Sequence, residues 1–115
     1  MGSKSAPAPL AEFELLVLLA ALRLGPDEAY TVSIADHIQR RTGRSVRRAN
    51  VYTTLQRLEA KRLLTTQLGE PRPERGGKPR RLVTVRPAGV AAVRAMTNAI
   101  QAMVGELGDV MGTAK

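Results

Sequence analysis

The chain has 115 residues and a mass of 12.4 kDa, which allows one folded domain with its own hydrophobic core. It contains no cysteine and one histidine, His37, so disulfides, thiolate catalysis and multi-histidine metal sites are excluded. We therefore expect neither a metal nor another cofactor. The longest apolar run, residues 15–22, is shorter than the roughly 20 residues of a membrane span. We expect a cytoplasmic protein that does not bind membranes.

The positive charge is concentrated in the middle of the chain. Lys and Arg number 18 against 10 Asp and Glu, which gives a net charge of +8. Residues 40–86 contain fourteen basic and three acidic side chains, whereas the rest of the chain has four basic and seven acidic ones. This asymmetry indicates a surface that contacts a polyanion. A solvated surface without a partner is the alternative.

The first predicted element is a helix over residues 10–24, which follows a small, polar, flexible tail at residues 1–9. Phe13 and Leu16 lie on one face of this helix, but leucines also cover the other side. A helix that is apolar all round must be buried on more than one side. Because one small domain can hardly cover both sides, we expect a second subunit to cover part of this helix.

A second helix is predicted at residues 31–42. Thr31 or Ser33 can cap its start, and Ser33 with Asp36 resembles a capping box. Gly43 suits the left-handed exit from the helix.

The third predicted helix, residues 48–61, separates apolar from polar side chains. At about 100° per residue, Val51, Leu55 and Leu58 form one stripe that faces the core. The other side carries hydrogen-bonding groups and little acid. Its residues are Ala49, Asn50, Thr53, Gln56 and Arg57.

Two extended segments, residues 63–68 and 81–86, are rich in Leu, Thr and Val and predict a β-hairpin. The connection between them, at about 69–80, is rich in proline and glycine and mostly basic, so it cannot be helical.

The last predicted helix runs from Pro87 to about residue 112 and carries a heptad seam. Such an amphipathic helix favours packing against a second subunit, and folding back onto its own domain is the alternative. The seam consists of Val93, Met96, Ile100, Met103, Leu107 and Val110.

This order of elements predicts a mainly α fold with a small β-hairpin: a winged helix-turn-helix at residues 10–86 and a C-terminal dimerisation helix at 87–112. The third helix would enter the major groove of DNA, and the hairpin, or wing, would contact phosphates or the minor groove. The helix offers Arg47, Arg48, Asn50, Thr53, Gln56 and Arg57. The wing offers Arg72, Arg75, Lys78, Arg80 and Arg81.

Four segments resemble the PadR family of bacterial transcriptional regulators: residues 11–20, 50–59, 73–78 and 84–89. The resemblance covers about residues 10–102. Its most specific part is Val-Tyr-Thr-Thr-Leu at 51–55 with a Glu-Arg-Gly-Gly sequence downstream.

The resemblance implies a homodimeric repressor that binds two half-sites of a double-stranded DNA operator. The C-terminal helix would pack with the N-terminal helix of the other subunit, which agrees with the heptad seam and with Phe13 and Leu16. Tyr52 would touch the phosphate backbone; a ring packed on the helix flank with its hydroxyl in water is the alternative. A small-molecule effector of unknown identity is compatible with the family.

One departure from the family pattern is Arg62, which stands where the family has Gly after the third helix. A left-handed Arg62 would cost about 1 kcal/mol relative to Gly.

Two other function classes are the alternatives to an operator-binding regulator. A winged-helix module that binds an acidic protein or RNA would use the same basic surface without operator specificity. An enzyme is not expected, because residues 76–78, Gly-Gly-Lys, lack the first Gly and the following Ser or Thr of a phosphate-binding loop.

Overall fold

A computed structural model describes residues 6–70 and 79–113 of the chain. The fold is mainly helical with one antiparallel two-stranded hairpin, as the sequence predicts. The elements in chain order are α1 (Glu12–Leu24), α2 (Thr31–Thr42), α3 (Arg48–Ala60), β1 (Leu64–Leu68), β2 (Arg81–Val85), α4 (Pro87–Val104) and α5 (Leu107–Thr113).

Helix α1 forms the centre of the hydrophobic core, because it packs against α2, α3, β2 and α4. Its Val17 and Leu18 are completely buried. The predicted stripe of α3, which consists of Val51, Leu55 and Leu58, is buried in the same core and is confirmed. With that stripe turned inward, the polar side of α3 is left on the surface.

The hairpin is fixed to the helices through β2. Val83 N donates a hydrogen bond to Ala29 O at 2.8 Å, which ties the hairpin to the turn before α2. Thr66 lies opposite Val83 in the register, so both side chains belong to the face of the hairpin that covers the core. Thr65 points to the other face and is exposed.

The start of α2 differs from the prediction. The residue that caps it is Tyr30, and Ser33 lies within the first helical turn. Ser33 Oγ accepts a hydrogen bond from Tyr30 N at 3.0 Å and donates one to Glu28 O at 2.6 Å. The predicted capping box of Ser33 with Asp36 is therefore wrong, because Ser33 bonds backward to the residues that precede the helix.

The chain reverses after α3 at a left-handed residue. Arg62 has φ 64°, and Leu63 N donates to Leu58 O at 3.0 Å across it. Arg62 therefore adopts the left-handed conformation, at a cost of about 1 kcal/mol relative to Gly. The turn directs the chain from α3 into β1, so it sets where the hairpin lies beside α3.

Helix α4 belongs to the core in its first turns and leaves it afterwards. Gly89, Ala92 and Val93 are buried, and Gly89 packs so closely on Leu63 and Val85 that no side chain fits there. The predicted continuous helix to residue 112 is wrong.

The interruption lies at Gly105 and Glu106, since Glu106 adopts φ 68° and α5 begins at the next residue. The heptad spacing therefore does not continue along one straight helix.

The segment before α1 lies against α4. Ala8 is half-buried on the core, and Leu10 is buried with 7% exposure. Residues 7–10 and the small side chains of α4 border one groove. Within residues 6–70 and 79–113, no helix combines the length and the hydropathy needed to cross a membrane.

Candidate nucleic-acid interface

The outer face of α3 carries every predicted contact residue of that helix at the surface. At about 100° per residue, Thr53 and Gln56 lie opposite the buried stripe, and Asn50 and Arg57 lie on the flank toward α1. Tyr52 lies on the flank toward the hairpin. The exposed set is Arg47, Arg48, Asn50, Tyr52, Thr53, Gln56 and Arg57.

The N-terminus of α3 is suited to an anion. Arg47 precedes the helix without a side-chain cap, and its carbonyl accepts from Asn50 N at 3.1 Å and Val51 N at 3.2 Å. The amides of the first turn and the positive end of the helix dipole lie beside the exposed Arg47 and Arg48 side chains. This combination favours a phosphate oxygen.

Basic side chains extend this surface on both sides of α3. No acidic residue lies in the first turn of the helix. Between residues 40 and 86, the exposed cations in the part that the structure describes are Arg40, Arg41, Arg44, Arg47, Arg48, Arg57, Lys61, Arg62, Arg81 and Arg86.

Tyr52 and Gln56 form a pair on the hairpin side of α3. Gln56 Nε2 donates to Tyr52 Oη at 3.3 Å, and the Tyr52 side chain is half-exposed. The hydroxyl is therefore held by a neighbour on the same helix. It still has a proton to donate, as a contact to a phosphate oxygen requires.

Arg81 lies in the cleft between α3 and the hairpin, at the end of the hairpin next to the loop. Its Nη1 donates to Thr66 Oγ1 at 3.0 Å, and Thr66 Oγ1 lies 3.2 Å from each carboxylate oxygen of Glu59. Sequence reasoning included Arg81 and missed its two partners. The register contains the signal, because Thr66 faces Val83 and Arg81 is the diagonal neighbour on the same face.

The predicted role of Arg80 in DNA contact is wrong. Its side chain is 6% exposed, and its guanidinium carbon lies 4.8 Å from the centre of the Tyr30 ring. Nη1 is 3.7 Å from Glu28 Oε1, and Nε is buried without a hydrogen-bond partner in the described ranges. Arg80 is a cation of the domain interior, held by the aromatic face and by Glu28.

Glu14 was missed by sequence reasoning and is the buried charge behind α3. Its side chain is 3% exposed, accepts from Lys61 Nζ and Ala11 N at 2.9 and 2.8 Å, and lies 3.9 Å from Arg57 Nη1. Burial raises the pKa of Glu14, but the hydrogen bonds from Ala11 and Lys61 and the charge of Arg57 lower it by a larger amount. The pKa of Glu14 therefore lies below its ordinary value of 4.5. Arg57 therefore has a partner within its own protein.

Three of the predicted wing contacts, Arg72, Arg75 and Lys78, lie outside the described residues. Their roles stay predictions.

The residues predicted for dimerisation fall into three groups. Val93 is 7% exposed and packs in the core of its own domain, because α4 docks on α1. It is not available to a partner subunit, so its predicted role in dimerisation is wrong. Phe13, Leu16 and Met96 are half-buried beside that core. Ile100, Met103, Leu107 and Val110 are exposed.

Among the residues that the structure describes, no group of three or more acidic or histidine side chains could hold a metal ion. The Nε2 atom of His37 is buried without a hydrogen-bond partner there. Burial, followed by the charges of Arg23, Arg41 and Arg40, lowers the pKa of His37.

Comparison with known protein families identifies one family. Residues 18–95 match the family described as Transcriptional regulator PadR-like family. No match was found among curated proteins.

Solved structures give the same picture at the level of the fold. A PadR family transcriptional regulator from Eggerthella lenta DSM 2243 is similar with a TM-score of 0.64 at 20% identity, over 87% of this chain and 86% of that one. Bordetella bronchiseptica BpsR, whose DNA binding is regulated by 6-hydroxynicotinic acid, is similar with a TM-score of 0.60 at 23% identity, over 91% of this chain and 68% of that one.

Proposed function

The chain belongs to the PadR-like family of transcriptional regulators, and we propose that this DNA-binding regulator is a homodimeric repressor that reads an operator with α3. The observation that carries the proposal is the outer face of α3. It joins exposed, hydrogen-bonding side chains to a cationic helix start, whereas the opposite stripe is buried.

In this proposal, α3 lies in the major groove, which admits one helix. Asn50, Thr53 and Gln56 read base edges, since amide and hydroxyl groups both donate and accept hydrogen bonds. Arg47 and Arg48 contact phosphates and fix the orientation of the helix.

The hairpin completes the contact with the backbone. Tyr52 donates to a phosphate, and Arg81 meets another one beside α3. Arg75 and Lys78 of the wing would add sequence-independent attraction.

A second copy of the chain supplies the other half-site. Support comes from large apolar side chains exposed on α4 and α5, which in water favour a protein partner. Two chains related by a two-fold axis would place their α3 helices about 34 Å apart, one turn of B-DNA. The exposed patch consists of Ile100, Met103, Val104, Leu107, Val110 and Met111.

Regulation by a small molecule extends the proposal. BpsR offers a structural precedent, since its DNA binding is regulated by 6-hydroxynicotinic acid.

The test is fluorescence anisotropy on two labelled duplexes at about 0.15 M salt. One duplex carries the DNA upstream of the chain's own gene, and the other is the same DNA scrambled. We expect the first to bind at least about a thousand-fold more tightly. Equal binding would contradict operator recognition and favour the module for RNA or an acidic protein.

Asn50→Ala tests base reading by α3. Loss of a base contact should cost about 1–3 kcal/mol of discrimination between the two duplexes. The matched control is Gln67→Ala, which removes an exposed amide from the hairpin, outside α3. Unchanged discrimination by N50A would remove Asn50 from the reading surface.

Ile100→Asp tests the dimer. A buried, unpaired carboxylate in the interface should shift the protein to monomers in sedimentation velocity. The control is Arg94→Asp, an exposed position of α4 outside the apolar patch. An I100D protein that sediments as a dimer would exclude the patch as the interface.

A further inference from the structure

A network of three side chains joins α3 to the hairpin, and none of its members belongs to the hydrophobic core. Thr66 Oγ1 accepts from Arg81 Nη1 at 3.0 Å and lies 3.2 Å from both oxygens of Glu59. Glu59 and Arg81 are exposed, and Thr66 is half-buried. A network of this kind at the surface contributes little to stability, so its geometry points to another use.

We propose that Thr66 is a positioning residue for DNA binding: its hydroxyl, oriented by Glu59, holds the Arg81 guanidinium beside α3, where it meets a backbone phosphate. This inference rests on the proposed function and deepens it. It assigns roles to Thr66 and Glu59, neither of which touches DNA.

The chemistry of the hydroxyl sets the direction of the network. A carboxylate only accepts hydrogen bonds and a guanidinium only donates them. The single proton of the Thr66 hydroxyl must therefore go to Glu59, and its lone pairs face Arg81. This arrangement engages one Arg81 nitrogen, and the other N–H groups have no partner among the described residues, so they remain available to a phosphate.

The position of Arg81 favours a phosphate over a base. Arg81 begins β2 at the loop end of the hairpin, and its side chain lines the cleft with Tyr52 and Gln56, to one side of the outermost ridge of α3. Glu59 borders the same cleft, and its negative charge repels an anion from the bottom of the cleft. The phosphate would therefore contact Arg81 at the opening of the cleft.

Holding Arg81 in place reduces the conformational entropy that it loses on binding. Without the Thr66 hydroxyl, the entropy lost on ordering this long side chain offsets the attraction of a single phosphate, so we expect Arg81 to lose that contact. From the entropy of one such side chain, we expect about a three- to ten-fold loss of affinity.

The test uses Thr66→Val in the full chain, because Val has the same shape and suits a strand. Thr65→Val is the matched control, since it changes an exposed threonine on the opposite face of the same strand. Thr66→Ser restores the hydroxyl. Anisotropy on one short duplex of arbitrary sequence, over a series of salt concentrations, gives the affinity and the salt slope.

We expect T66V to lower the slope of log K against log salt by about 0.9, the value for one lost phosphate contact. Arg81→Gln should lower it equally, and the double variant should add nothing. T66S and T65V should behave as wild type. If the wild-type protein binds the duplex and T66V has the same salt slope, the inference is overturned and the proposed function stands. If the wild-type protein binds no duplex, the proposed function is refuted and the inference with it.

Glu59→Ala approaches the network from its other end and also serves if T66V fails to fold. Electrostatics alone predicts tighter binding, because an acid near a polyanion is removed. Positioning predicts a lower salt slope. Tighter binding with an unchanged slope overturns the inference.

A readout without DNA completes the test. The ¹⁵N heteronuclear NOE of the Arg81 Nε–H group should fall in T66V and stay unchanged in T65V. Equal values in both variants overturn the inference.

Discussion

Glu14→Gln removes one buried negative charge and keeps the size of the side chain. In the wild type, the 3%-exposed carboxylate accepts from Lys61 Nζ and Ala11 N at 2.9 and 2.8 Å. Breaking an ion pair whose members are both buried costs about 3–5 kcal/mol. Lys61 and Arg57 are 40% and 51% exposed and regain water. We therefore expect E14Q to lose about 1–2 kcal/mol of stability near neutral pH.

This loss should depend on pH in a defined direction. The pKa of Glu14 in the folded protein lies below its ordinary value of 4.5. A group with a lowered folded pKa stabilises the fold above its unfolded pKa and ceases to do so as the pH falls through the folded pKa. The difference between wild type and E14Q should therefore shrink steadily as the pH falls below 4.5.

Urea unfolding followed by circular dichroism measures both effects. The protein concentration is held fixed, because association shifts the apparent stability. Glu12→Gln is the matched control: the Glu12 carboxylate forms two 2.9 Å bonds with Arg44, but both side chains are in water. We expect E12Q to stay close to wild type. An E14Q protein as stable as wild type near neutral pH, or a difference that persists unchanged into acid, would refute the reasoning.

Two further predictions concern packing and the interior cation. In Gly89→Ala, the new Cβ would lie 2.8 Å from Val85 Cγ1 and collide with the backbone of Leu63, so we expect a loss of about 2–3 kcal/mol in urea unfolding. Gly108→Ala meets no atom within 4 Å and should cost nothing; equal stability of the two variants would contradict the packing. Arg80→Met should leave the DNA salt slope unchanged, and a slope lowered by about one would return Arg80 to the DNA surface.

The parts of the fold that the sequence predicts are those fixed by local periodicity. The stripe of Val51, Leu55 and Leu58 follows from the helical repeat alone, and once it is buried, the outer face of α3 must be exposed. The hairpin follows in the same way from two segments rich in Leu, Thr and Val around a connection that excludes helix. Residue spacing is sufficient in both cases, because each element makes its own hydrogen bonds.

The errors in the candidate site and in the dimerisation surface occur where distant segments meet. Glu14 and Lys61 pair although they are 47 residues apart, and no local sequence pattern predicts that pair. Arg80 and Arg81 are neighbours with the same chemistry, yet one packs on Tyr30 and the other enters the cleft beside α3. Val93 fits the heptad spacing but packs on its own domain, because spacing does not say which apolar surface a helix meets first.

Two acidic residues, Glu14 and Glu59, lie on opposite flanks of α3. Glu14 neutralises the flank toward α1, where it lies 3.9 Å from Arg57 Nη1, and Glu59 faces the hairpin flank through Thr66. Arg57 must leave or share that carboxylate to reach a base, whereas Asn50 makes no side-chain hydrogen bond within the described residues and has none to break. Because Arg57 already has a charged partner and Asn50 has none to give up, we expect Asn50 rather than Arg57 to read a base on that flank. In the proposed complex, Arg57 would then act mainly through its positive charge, an attraction that weakens with salt and does not depend on sequence.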